Sequence, residues 1–217
     1  MYSNQDIKLC MISGSFEYDS EESLSIFQSH IESTQPVKCT TISFMSEDDN
    51  IPLLEIENAD VLLVFSRRLN TSGSELDRFK NYCHAGKPLV GVRTASHAFE
   101  NWLGFDKEIL GGNYNSHFGI GPQVRVESTK SGENHPILKN VSSLNSVGSL
   151  YRNRGISDDC TVLLNGTTKD STEPVAWTRP NKGGRIFYTS LGHQSDFSNK
   201  HFLNLLTNGV LWASRLI

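Results

Sequence analysis

The chain has 217 residues, a formal net charge of -4 and 37% hydrophobic residues. This length suits a single domain over residues 1–217 with room for a buried core. The composition excludes a disordered chain, and the acidic balance argues against a nucleic-acid partner, which would need a basic face for phosphates. No apolar run approaches a membrane span. Residues 1–6 are polar and carry no signal-peptide pattern, so a cytoplasmic location is expected. Cys10, Cys39, Cys83 and Cys160 lie far apart with no C-x-x-C pair, the pattern of free thiols in a reducing compartment.

In chain order, Ile7 to Ile12 (IKLCMI) reads as a buried strand closed by Ser13-Gly14. Asp19 and Glu22 have the spacing of a capping box, and Leu24, Phe27 and Ile31 follow at helical spacing. Pro36 ends that helix, and Val37 to Phe44 predicts a second strand. Asp60 to Phe65 (DVLLVF) predicts a third, with almost no polar alternation, which implies burial on both faces and a parallel sheet. Ser72 and Glu75 form a second capping-box pattern ahead of Leu76, Phe79 and Cys83, and Gly86 and Pro88 stop that helix. Leu89 to Val92 is the fourth strand. The order β-α-β-β-α-β predicts a doubly wound α/β fold.

Periodicity fades over residues 99–122, which are rich in glycine and read as a long functional loop. Strands resume at Val124 to Glu127 and Cys160 to Leu164. Residues 174–191 suggest a hairpin around Lys182 to Arg185, and Phe202, Leu205, Leu206 and Val210 define a C-terminal helix.

Polar residues gather just after the strands: Glu17 and Tyr18, then Arg67, then Arg93, Ser96 and His97, and finally His193 and Asp196. The C-terminal ends of parallel strands share one edge, where ligands bind in open α/β sheets, so these groups should converge. Gly91 to Ala95 has the strand-turn-helix context of a nucleophile elbow, but its central position holds Arg93, whose guanidinium stays charged and cannot attack a carbonyl. Arg93 is suited instead to clamping a hydroxyl-rich or anionic ligand. Ser96 and His97, being neighbours, would point apart on a helix and make a poor dyad. Tyr114 and His117 sit on the glycine-rich loop, where they could close over a ligand. No His or Asp spacing suits a metal, and no glycine motif suits a nucleotide, so neither metal nor cofactor is expected.

Five ordered segments carry a resemblance: GSFEYDSEESL at 14–24, GKPLVGVRTASHAF at 86–99, LGGNYNSHFG at 110–119, HPIL at 135–138 and EPVAWTRPNKGGRIFYTSLGHQSDF at 173–197. Through them the chain resembles the trehalose-utilisation (ThuA-like) family over nearly its whole length. The resemblance implies a flavodoxin-like, mostly parallel sheet flanked by helices, as in class I glutamine amidotransferases. The amidotransferase cysteine falls on Arg93 here, so glutaminase activity is not implied; many relatives place a His at this position. The family's association with disaccharide and 3-keto-glycoside catabolism implies a sugar ligand.

Two functions follow. One is an enzyme acting on a sugar by acid–base hydrolysis or isomerisation, with His193 oriented by Asp196 and a second acid or base from His117 or His97. Glu17, Tyr18, Arg67, Arg93 and Ser96 would then hold hydroxyls, and Tyr114 or Trp177 would stack on the ring. The other is a carbohydrate-binding or sensing protein that kept the crevice without the chemistry, a vestigial scaffold being a third possibility. A homodimer is the base-rate expectation for assembly.

Overall fold

A computed structural model describes residues 6–142 and 144–217; most of the polar stretch at the start of the chain lies outside them. The elements are β1 (Ile7–Gly14), α1 (Ser20–Thr34), β2 (Val37–Ser43), β3 (Val61–Ser66), α2 (Gly73–His84), β4 (Leu89–Val92), β5 (His117–Phe118), β6 (Val124–Ser128), β7 (Leu144–Ser146), β8 (Leu150–Tyr151), β9 (Thr161–Thr167), β10 (Thr172–Asn181), β11 (Gly184–Thr189) and α3 (Lys200–Ala213). No helix among the described residues is long and apolar enough to cross a membrane.

One nine-stranded sheet has the order β2-β1-β3-β4-β11-β10-β9-β6-β7. From β2 to β11 every pairing is parallel, and the remaining strands join antiparallel. The anticipated hairpin is present as β10 and β11, and β11 inserts it beside β4. A two-stranded ribbon, β5 with β8, stands apart.

Side chains along the central strands alternate between two cores. Leu9, Met11, Leu63 and Phe65 pack with Leu24, Phe27 and Ile31 of α1 and Phe202, Leu206 and Val210 of α3. Cys10, Ile12, Leu62 and Val64 pack on the other face with Leu76, Phe79 and Cys83 of α2 and with Phe99 and Phe105. A strand buried on both faces has no polar period, which is why IKLCMI and DVLLVF are continuous apolar runs.

Neither anticipated capping box forms. Asp19 is the N-cap of α1 but has φ 40 and no capping hydrogen bond; its carboxylate takes the Gln194 amide instead. Glu75 accepts from the Leu53 backbone N–H at 2.7 Å rather than reaching back to Ser72. The loop over residues 99–122 contains a 3-10 turn at Glu100–Trp102 and a π-helical turn at Asp106–Leu110. All four cysteines are free, with Cys10 and Cys83 buried.

Candidate functional site

The elbow forms with arginine at its tip. After Val92 the backbone of Arg93 turns to φ 46, a left-handed conformation that costs a non-glycine residue about 1–3 kcal/mol. A short 3-10 turn, Arg93–His97, follows. The Arg93 side chain folds inward and is 1% exposed. Its Nη1 donates to the Ser190 carbonyl at 2.9 Å, and its Nη2 donates to the Tyr18 hydroxyl at 3.0 Å. The guanidinium carbon lies 4.3 Å from the Tyr18 ring centre and 5.1 Å from that of Tyr151, within cation–π range. Nε is buried without a partner among the described residues. Burial alone would favour the neutral form, but the Tyr151 and Tyr18 hydroxyls and the Asp196 carboxylate outweigh it and hold the pKa above its ordinary value. Gly148 lies against the guanidinium so closely that a Cβ there would come within 2.7 Å of Nη1.

Beside this buried cation, His97 stacks on Tyr114 with ring centres 4.7 Å apart, and Tyr114 lies 4.5 Å from Tyr151. Burial, followed by the charges of Arg67, Arg68 and Arg93, lowers the His97 pKa from 6.5 to about 3. The Ser96 hydroxyl lies 3.0 Å from His97 Nδ1. The expectation that these neighbours point apart is therefore overturned: the two side chains reach each other around the turn. Tyr114 is held from below, where its backbone N–H donates to Asp106 Oδ2 at 2.8 Å. Burial lifts the Asp106 pKa to about 6.

On the other side, His193 meets Tyr18 edge to face at 6.2 Å. Asp196 does not orient the His193 ring. Its Oδ2 accepts from the backbone N–H groups of Gly192 and His193 and from the Ser146 hydroxyl, each at 2.9 Å. Asp196 is the N3 residue of a capping box whose N-cap is His193, and the ring itself turns to Ser195, 2.9 Å from its Nδ1 to the hydroxyl. Burial raises the Asp196 pKa in spite of these donors.

Glu17 and Arg67 reach the same edge as an ion pair of 3.5 Å, with Arg67 also bridging to Glu47. Trp177 does not join them. It is fully buried, its indole N–H donates to the Leu110 carbonyl at 2.8 Å, and it packs on Tyr188 in the core, so it cannot stack on a ligand. His117 is exposed on β5, where its Nδ1 donates to the Gly119 carbonyl at 2.8 Å; its link to the site is the pairing of its strand with Tyr151. The sequence reading missed Tyr151, which lies on a two-residue strand without periodicity, and Ser146.

Fold and elbow define a class: an amidotransferase-like α/β domain in which a buried arginine stands at the elbow where a nucleophile would be. The chain belongs to the ThuA family, whose model, described as trehalose utilisation, matches residues 11–213. Among solved structures, a ThuA-like protein from Parabacteroides merdae superposes with TM-score 0.78 at 17% identity, covering 96% of this chain and 90% of its own. A ThuA-like protein from Bacteroides uniformis gives 0.75 at 20% identity, covering 98% and 94%. A glutamine amidotransferase from Thermotoga maritima gives 0.57 at 10% identity, covering 96% and 98%. At these identities the likenesses establish the fold. No curated protein matches the sequence.

Proposed function

We propose that the crevice binds a sugar and performs acid–base chemistry on it, hydrolysis or isomerisation, without a covalent nucleophile. The observation that carries this reading is the half-buried Tyr114–His97 stack beside the buried Arg93 guanidinium. Aromatic faces suit the C–H faces of a sugar ring, and fixed polar groups around them suit its hydroxyls. In this reading Tyr18, Tyr114, Arg67, Glu17 and Ser96 bind or support the ligand, His193 is the proton-handling group, and His97 lies beside the ligand as an imidazole that burial and three arginines keep neutral. Arg93 supplies a fixed positive field. Asp196 acts through the backbone of the His193 turn.

The test is a panel of trehalose, other disaccharides and their 3-keto forms, read by thermal shift and product analysis on the wild type and His193→Ala. A ligand that binds the native state raises the melting temperature by mass action, about 2.7 kcal/mol at 100 times Kd. Turnover of one sugar class that His193→Ala loses supports the reading. Unchanged turnover in that variant removes His193 from the chemistry.

A second reading, a sugar-binding or sensing protein, is favoured by one observation: the Asp196 carboxylate is committed to backbone donors and the Ser146 hydroxyl, and among the described residues His193 has no carboxylate partner. Saturable sugar binding with no product across the panel would select it.

A further inference from the structure

We infer that Ser96 fixes His97 as the neutral imidazole protonated on Nε2, so that His97 serves the site as a hydrogen-bond donor to a ligand oxygen and not as a base. The inference rests on the sugar reading above and narrows it, because it fixes which ring atom meets the ligand and in which sense the hydrogen bond runs.

The argument begins with one proton. The Ser96 hydroxyl has three acceptors around it, of which His97 Nδ1 lies at 3.0 Å, the Arg93 carbonyl lies at 3.5 Å and the Tyr188 hydroxyl is the third. The second is long for a hydrogen bond, and that carbonyl already accepts the Tyr188 hydroxyl at 2.7 Å. The short distance assigns the Ser96 proton to Nδ1, which must be unprotonated to accept. In a neutral ring the proton then resides on Nε2. Among the described residues Nε2 takes no protein partner, yet it is not a buried orphan, so it keeps a solvent-facing edge open to a ligand.

The surroundings disfavour a second proton. Arg67 and Arg68 from the end of β3 and Arg93 from the same turn all bring positive charge toward the ring. Glu17 and Glu47 pair with Arg67, and Glu100 pairs with Arg68; the remaining neighbours, Tyr114 and Tyr151, are phenols whose ionisation burial opposes. A neutral imidazole polarises a carbonyl by donation while remaining uncharged. Ser96 is a positioning residue in this scheme, since it acts through His97.

The test uses the full chain labelled with 15N at histidine. Without ligand, the expected His97 signature is a protonated Nε2 and a bare Nδ1 from pH 7.5 down to 5, and Ser96→Ala should mix the two tautomers. A protonated Nδ1, or a ring that becomes cationic across that range, overturns the inference. In the ligand arm, trehalose or its 3-keto form should shift the Nε2 resonances on binding. His97→Phe should weaken binding of that sugar about tenfold, one hydrogen bond's worth, and His97→Gln, which keeps an N–H, should restore most of it. Sugar binding that His97→Phe leaves unchanged overturns the donor role. If no sugar perturbs any resonance while the Nε2 signature stands, the tautomer assignment is supported and the sugar reading is what fails.

Discussion

Acidification provides a direct measure of how His97 is held. Its pKa falls from 6.5 to about 3 in the folded chain, through burial first and then through Arg67, Arg68 and Arg93. In the unfolded chain the ring takes its ordinary value. A depressed folded-state pKa means that the unfolded state binds the proton more readily between those two values. The stabilisation is therefore complete above pH 6.5 and is lost progressively as pH falls toward 3. At pH 5 the unfolded ring lies about 1.5 pH units below its pKa, which at about 1.36 kcal/mol per unit removes about 2 kcal/mol of stability. The perturbation is His97→Gln, and the assay is urea unfolding of both proteins at pH 7.5 and pH 5. Other titrating groups, including Asp106 with its opposite slope, act in both proteins and cancel in the difference. The gap in unfolding free energy should move by about 2 kcal/mol in favour of the Gln variant on going to pH 5. If the gap stays constant within about 0.5 kcal/mol, the folded ring takes up a proton normally and the argument for a neutral His97 is refuted.

Asp106 titrates in the opposite sense: its folded pKa is raised from 3.8 to about 6 by burial, so the wild type should lose about 2 kcal/mol relative to Asp106→Asn as pH rises from 4 to 6, and parallel pH–stability curves for the two proteins would refute this. Asp196→Ala strips the acceptor from the Gly192 and His193 amides and the Ser146 hydroxyl; a loss of about 3 kcal/mol is expected in urea unfolding, since each buried orphan costs about 1–3 kcal/mol. Gly148→Ala drives a Cβ to within 2.7 Å of Arg93 Nη1 and should cost about 1–3 kcal/mol by overpacking, read as a lower melting temperature. Trp177→Phe leaves the Leu110 carbonyl without its indole donor and should lower stability by about 2–3 kcal/mol with sugar affinity unchanged; a selective loss of affinity would return Trp177 to the site.

The parallel half of the sheet was legible because double-sided burial leaves an uninterrupted apolar run, and IKLCMI and DVLLVF are such runs. The convergence of Tyr18, Arg67, Arg93, His97 and His193 followed from topology alone. What failed was decided by tertiary competition. The carboxylates of Asp19 and Glu75 sit at capping-box spacing but find partners at Gln194 and Leu53. Trp177 sits in an apolar run whose composition does not tell which face of β10 meets the core. Tyr151 packs against Arg93 from a strand of two residues, too short to carry any period. His193 and Asp196 are three residues apart, which suits a catalytic pair and a capping box equally; the fold uses the second, and the first-turn geometry turns the carboxylate to the backbone.

That last choice bears on the elbow itself. A left-handed arginine is a strained backbone position, and burying its guanidinium adds desolvation to the strain. The structure compensates on every side: Tyr188 donates to the Arg93 carbonyl, Ser190 and Tyr18 accept from the guanidinium, and Tyr18 and Tyr151 face it. Asp196 pins Ser146, two residues before the Gly148 that presses on the same group. A turn that in other proteins exposes a nucleophile is here committed to enclosing a cation.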